Sequence, residues 1–328
     1  MKRLALLALT TILLLAIPAQ AQAVDPYPDL GDCPVFPAPP ASLSPTAPSL
    51  PNQAAWNQDV SRAPVARNSA QVIAYINSQG GNFLHPDFGS PRTYGFPYAV
   101  VGAGQRMLPI RYTAYGSESD PGPFPIPISA PVEGGRRSDG DRHVLAVDRS
   151  TCTLYELYRA FPIRGPYPGK WNADSGVSWD LRSTDLRPRS WTSADAAGLP
   201  IFPGLVRYDE AAAGTVEHAI RVTFESTRDA WIEPATHCAG DTSNGHAPAM
   251  GTRLRLKGGY GLGGFTGPAR AIAEALKRYG MIVADNGSNW FFSGTSDRRW
   301  DDENLNLLKR IPGGAFQVVR SAARPHVC

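Results

Sequence analysis

Residues 142–159, RHVLAVDRSTCTLYELYR, decide the fold class of this chain. Apolar and polar residues alternate on both sides of Asp148-Arg149-Ser150-Thr151, the pattern of two strands joined by a tight turn. With Asp148 facing Thr151, the hairpin sets Val147 opposite Cys152, Leu145 opposite Leu154 and His143 opposite Glu156. Those six side chains share one side, because orientation along a strand alternates with period two. An imidazole and a carboxylate then meet at the end of an apolar face, where burial and a neighbouring charge shift pKa values. His143 and Glu156 are therefore the first candidates for catalytic groups.

The pattern stays β-rich outward from this hairpin. Residues 176–181 (GVSWDL), 217–224 (EHAIRVTF) and 253–256 (RLRL) alternate, and 98–101 and 110–112 read as shorter strands. Residues 281–284 and 290–293 flank Asp285-Asn286-Gly287-Ser288, a type I′ hairpin signal. Only three helices are expected. One begins at Asn68 with Gln71 as a capping-box partner, and a short one covers 302–309. The third covers 268–279, with proline at its start, Gly280 at its end, and Ala269, Ile272, Leu276 and Tyr279 as its buried stripe. Five prolines in 120–131 (DPGPFPIPISAP) exclude helix and central strand, leaving a surface covering or a cleft wall, with covering the default. Many short strands and few helices predict a mainly β protein, a β-sandwich or jelly roll with peripheral helices, in a single domain over 56–328.

Residues 1–23 carry Lys2 and Arg3, an apolar run from Leu4 to Ile17, and two overlapping A-x-A sites, the composition of a secretory signal peptide. Residues 24–55 follow as a proline-rich arm, most dense at 33–51 (CPVFPAPPASLSPTAPSLP). Export predicts a secreted, extracellular or periplasmic protein, with no membrane partner once the signal is cleaved. Cys33, Cys152, Cys238 and Cys328 are then expected as two disulfides. Three pairings exist; Cys152 with Cys238 and Cys33 with Cys328 is the favoured one. The formal charge of +3, with arginines scattered rather than in blocks, points away from nucleic acid.

Residues 139–158 (DGDRHVLAVDRSTCTLYELY), 191–210 (WTSADAAGLPIFPGLVRYDE) and 279–290 (YGMIVADNGSNW) resemble an uncharacterised family of exported bacterial proteins. The resemblance implies export and one integrated domain, and it transfers no activity and no catalytic assignment.

Gly259-Tyr260-Gly261-Leu262-Gly263-Gly264 satisfies G-x-G-x-x-G, with a strand before it and a helix after it. Three features oppose a dinucleotide site. The preceding strand alternates arginine and leucine, the helix starts too late to hold a pyrophosphate, and the strand after it turns back at Asn286-Gly287. A surface loop accounts for the glycines better. G-x-S-x-G and H-E-x-x-H are both absent.

Histidine, carboxylate and tryptophan remain as the chemical vocabulary. His218 heads the strand carrying Ile220, Val222 and Phe224, as His143 heads its own. Trp179, Trp191, Trp231, Trp290 and Trp300 lie among polar residues at strand ends, where exposed indoles would stack on sugar rings. These features predict a secreted carbohydrate-active enzyme, a glycoside hydrolase or polysaccharide lyase acting on a glycan. Glu156 and Asp180 are the carboxyl pair for hydrolysis, and His143 or Tyr158 the base for elimination, with Arg221 steadying a substrate carboxylate. Trp179, Trp191, Arg221 and Tyr158 would bind substrate, and no cofactor is required. One alternative is a non-catalytic glycan-binding or envelope protein. The other is a metal-dependent, cupin-like enzyme with a divalent ion on His143, His218 and a carboxylate.

Overall fold

A computed structural model describes residues 29–165 and 169–328; the signal-peptide segment lies outside them. Strand outweighs helix, 25% to 17%, and the strands form several mixed sheets with few helices, a mainly β, sandwich-like architecture. A four-stranded sheet runs in the order Tyr98–Val101, Val144–Asp148, Thr153–Tyr158, Ser175–Asp180. A six-stranded sheet runs His85–Pro86, Phe291–Phe292, Ile220–Phe224, Met281–Asn286, Arg253–Leu256, Phe316–Val318. One large core joins them: Leu145, Val147, Leu154, Val177 and Trp179 share an apolar cluster with Ile220, Val222, Leu254 and Val283.

The central hairpin forms with its faces as expected and its register displaced. Leu145 pairs with Glu156, Val147 with Leu154, and Asp148 with Thr153. The loop thus spans residues 149–152, two longer than the sequence implied. Asp148 Oδ1 accepts from the Ser150 amide (2.9 Å) and hydroxyl (2.6 Å), and Cys152 adopts a left-handed φ of 54°. A slip of two residues leaves every side chain on its predicted face but separates His143 from Glu156 as a facing pair. All five residues of Val144–Asp148 are buried. The reason is a second core on the other face, where Phe124, Ile126, Ala130 and Trp171 cover Val144, Ala146 and Leu157. The proline-rich segment 120–131 is that covering layer, fixed by Asp120 Oδ2 on the Ser178 amide (2.8 Å).

The helices occur at Ser69–Ser78, Gly267–Arg278 and Asp302–Asn306, with a short one at Tyr208–Ala212. Asn68 makes no side-chain cap, so the predicted capping box is not formed, whereas Asp301 accepts from the Glu303 and Asn304 amides. Gly280 has φ 71°, and a Cβ there would overlap the Leu254 carbonyl, so the glycine ending Gly267–Arg278 is required twice over.

Two strand readings are corrected. Asn286-Gly287 does not close a hairpin: Met281–Asn286 lies parallel to Ile220–Phe224, and Phe291–Phe292 crosses to that strand's other edge. Arg253–Leu256 is buried throughout despite its arginines. Arg253 donates to the carbonyls of Ala55 (2.5 Å), Gln58 (2.8 Å) and Tyr279 (2.9 Å), which supply the partners that burial demands. This strand is antiparallel to Met281–Asn286, so the intervening glycine loop and helix do not form a βαβ unit. Lys277 Nζ pins the loop by donating to the Tyr260 carbonyl (2.6 Å).

The disulfides are Cys33–Cys152 and Cys238–Cys328, in place of the favoured pairing. Cys152 sits at the hairpin turn, where it meets the amino-terminal arm, and the carboxy-terminal cysteine meets the segment after His237. Such bonds persist in oxidising compartments, which places the protein in a non-cytosolic environment. Among the described residues no helix is long and apolar enough to cross a membrane.

Candidate active site

Residues 192–206, coil apart from a 3-10 turn at Phe202–Gly204, are buried along almost their whole length. A coil without a ladder must satisfy its main chain from neighbouring groups. Glu156 meets much of that demand: Oε1 accepts from the Ile201 and Phe202 amides, each at 2.9 Å, and Oε2 from Trp179 Nε1 at 3.2 Å. His143 Nε2 contacts the Ala194 carbonyl (3.0 Å), Ser175 Oγ donates to the Ser193 carbonyl (2.8 Å), and His237 Nδ1 contacts the Ala196 carbonyl (2.9 Å).

Where this coil reaches the end of the four-stranded sheet it borders a cavity of about 330 Å³. Tyr158 and Ser175 line it from the sheet, Asp141 and His143 from the chain leading into Val144–Asp148, Thr192 to Ala196 from the coil, and Asp285 and Asn286 from the carboxyl end of Met281–Asn286. Tyr115, His237 and Ala239 complete the wall. A position beyond the carboxyl end of a parallel strand is a recurrent place for ligands in mixed sheets.

The floor of this cavity is a charge network. Glu133 Oε2 lies 2.6 Å from His143 Nδ1. Arg221 Nε and Nη2 grip both oxygens of Asp195 (2.9 and 2.7 Å), and Nη2 also reaches Asp285 Oδ2 (2.9 Å). Burial works against charge on His143, but Glu133 beside it prevails and raises the imidazole to about 9. Both ring nitrogens face oxygen acceptors, so the imidazolium is the form that satisfies them. Burial likewise opposes the Glu133 carboxylate, which His143 holds below its usual range. Asp285 is pushed the other way, to about 6, by burial and by Asp195, against the pull of Arg221. Its side chain is 24% exposed, while that of Asp195 is fully buried. In this bonded network three carboxyls face two cations, so a proton on Asp285 makes it neutral.

The sequence-derived candidates therefore part company. His143 and Tyr158 reach the cavity, with ring centroids 5.4 Å apart. Arg221 lies beneath it, with four of its five N–H groups on Asp195, Asp285 and Ser293. Glu156 and Trp179 are in the closed core, and burial raises Glu156 to about 7 against its three donors. Asp180 is exposed at a turn, accepting from the Arg182 amide (2.8 Å). Trp191 is half-buried, 5.4 Å from the Arg187 guanidinium, and Trp231, Trp290 and Trp300 are core residues. His218 belongs to another place, between the Ala219 carbonyl (2.8 Å) and Glu210 (2.9 Å).

A metal shared by His143 and His218 does not fit this arrangement, since all four ring nitrogens are engaged by oxygens and the two residues line different cavities. Among the described residues one group with metal-ligand spacing occurs, Asp229, Cys238 and Cys328, and its two sulfurs form a disulfide.

Asp285, Asp195, Glu133, Asp141 and His237 were not picked out as site residues from sequence. In the sequence, Asn286-Gly287 after Asp285 gives it the signature of a turn residue. The others sit in coil segments whose convergence depends on how far the buried coil travels, which strand periodicity does not encode. Comparison with known proteins gives no counterpart: no family model, no curated protein and no solved structure matches the chain.

Proposed function

We propose that this protein is an exported carbohydrate-active enzyme that hydrolyses glycosidic bonds of a polysaccharide in the cavity lined by Asp285. One observation carries the reading: Asp285 places a partly exposed carboxyl in the cavity wall, 2.9 Å from Arg221, where burial and Asp195 push its pKa up to about 6. Glycoside hydrolysis needs a carboxylic acid to protonate the departing oxygen, and burial is the usual means of supplying one. Tyr115 and Tyr158 line the same space, beside Ser175, Thr192 and Ser193, whose hydroxyls donate to main-chain carbonyls. Its volume falls at the small end of the range of about 300–1,000 Å³ for small-molecule sites. Hydrolysis is favoured over elimination because Arg221 is already paired with Asp195 and Asp285, and burial together with Asp141 raises Tyr158, so that its phenol keeps its proton.

The experiment is a panel of polysaccharides scored for new reducing ends. At least one should be cut, and Asp285→Asn should lower turnover by about 10²–10⁴-fold with the melting temperature within a few degrees. Full activity in that variant would remove Asp285 from the chemistry. A binding-only protein is the second reading, favoured by the complete engagement of His143, which leaves its ring no free nitrogen for proton transfer. It predicts retained glycan affinity in Asp285→Asn and no product from either protein.

A further inference from the structure

We propose that His237 is the general base of this cavity, accepting the proton of the attacking water; this rests on the cavity being a hydrolase site. The described histidines of the two buried clusters differ from it in one respect. His143 is held between Glu133 and the Ala194 carbonyl, and His218 between the Ala219 carbonyl and Glu210, so each presents both ring nitrogens to oxygen. His237 meets oxygen with one nitrogen only. Its Nδ1–H donates to the Ala196 carbonyl at 2.9 Å, which fixes the tautomer and leaves the lone pair on Nε2. Among the described residues Nε2 has no hydrogen-bond partner, and the residue lines the cavity that holds Asp285. A base needs this combination of an anchored donor nitrogen and an unoccupied acceptor nitrogen in the substrate space.

The surrounding chain holds the ring in place. The Thr236 and His237 amides both donate to the Ala197 carbonyl (2.9 and 3.2 Å), and Thr236 Oγ1 donates to the Trp191 carbonyl (2.9 Å). Cys238, the next residue, is covalently tied to Cys328. The carbonyl of Ala239 accepts from the side-chain amide of Asn286, the residue after Asp285. The base and the acid are thus carried on segments bonded to each other.

The step is a single displacement. A water O–H bond breaks, its proton passing to His237 Nε2, and its electron pair forms the new bond to the anomeric carbon. The bond from that carbon to the departing glycosidic oxygen breaks, and that oxygen takes the proton of Asp285. The anomeric configuration inverts, and solvent returns a proton to Asp285 and removes one from His237.

His237→Asn is the decisive variant, because the asparagine amide can still donate where Nδ1 did while Nε2 is lost. Against a polysaccharide that the wild-type protein cleaves, it should lose about 10²–10⁴ in turnover and keep the wild-type melting temperature. Imidazole nitrogen NMR of the labelled wild-type protein should show neutral His237 protonated on Nδ1 and bare on Nε2. An active His237→Asn beside an inactive Asp285→Asn would overturn the base and spare the hydrolase reading. A wild-type protein inert on the whole panel would overturn both. An Nε2–H tautomer would overturn the assignment even if the variant failed to fold.

Discussion

Glu156 and His143 were read as one pair from the sequence, and each turns out to serve the buried coil from a different side. Glu156 accepts from two main-chain amides and an indole in fully buried surroundings. Removing it orphans three donors, each costing about 1–3 kcal/mol. Glu156→Ala should therefore lose at least about 3 kcal/mol in chemical denaturation. Glu156→Gln keeps an oxygen for Ile201 and Phe202 but turns an amide N–H against Trp179, and should lose about 1–3 kcal/mol. A neutral Glu156→Ala would mean that the coil does not depend on this carboxylate. His143 leaves its mark on pH dependence. Its folded value of about 9 stands above the unfolded 6.5, so its contribution is fully present below about pH 6.5 and is lost as pH rises through 9. Melting curves across that window should fall more steeply for the wild-type protein than for His143→Gln; parallel curves would show that the ring is not held as an imidazolium.

At the scale of elements, periodicity found what it is able to find. The hairpin, the strands 220–224 and 253–256 and the helix Gly267–Arg278 are all where alternation and terminal proline and glycine place them. The failures share a cause. The two-residue register slip comes from the Asp148 turn and the cysteine within the loop, and the mistaken hairpin at Asn286-Gly287 from a strand whose true partner residues, Ile220 opposite Met281 among them, lie far earlier in the chain. Local pattern reports which face a residue takes, whereas partners are chosen by tertiary packing. The same limit hid the cavity: Asp195 and His237 come from coil, and nothing local marks a coil that passes through the interior. Gly280 offers a direct check at this scale. Gly280→Ala demands φ 71° of an alanine and sets a methyl against the Leu254 carbonyl. It should cost more than about 1 kcal/mol in a thermal melt; a wild-type melt would mean that the helix end is free to move.

For the whole molecule, the pairing of all four cysteines means that alkylation of the native protein without reductant should add no mass. The proposed export predicts an intact mass for a chain beginning at Gln22 or Val24. Each disulfide closes a long stretch of chain, 119 and 90 residues, and losing one from an exported domain commonly costs about 2–5 kcal/mol. Reduction should accordingly lower the melting temperature, and an unchanged melt would show the cross-links to be incidental. The pairing also gives the polymer a particular covalent shape. Cys33–Cys152 and Cys238–Cys328 make two closed rings that do not interlace, joined by a single open thread from residue 153 to residue 237. Glu156, Asp195, Arg221 and His237 all lie on that thread, while Glu133, His143 and Asp285 lie on the rings. A protease that cuts once inside either ring leaves a molecule that still migrates as one piece without reductant. One that cuts once within the thread yields two pieces held together by folding alone, and unfolding then divides the cavity between them.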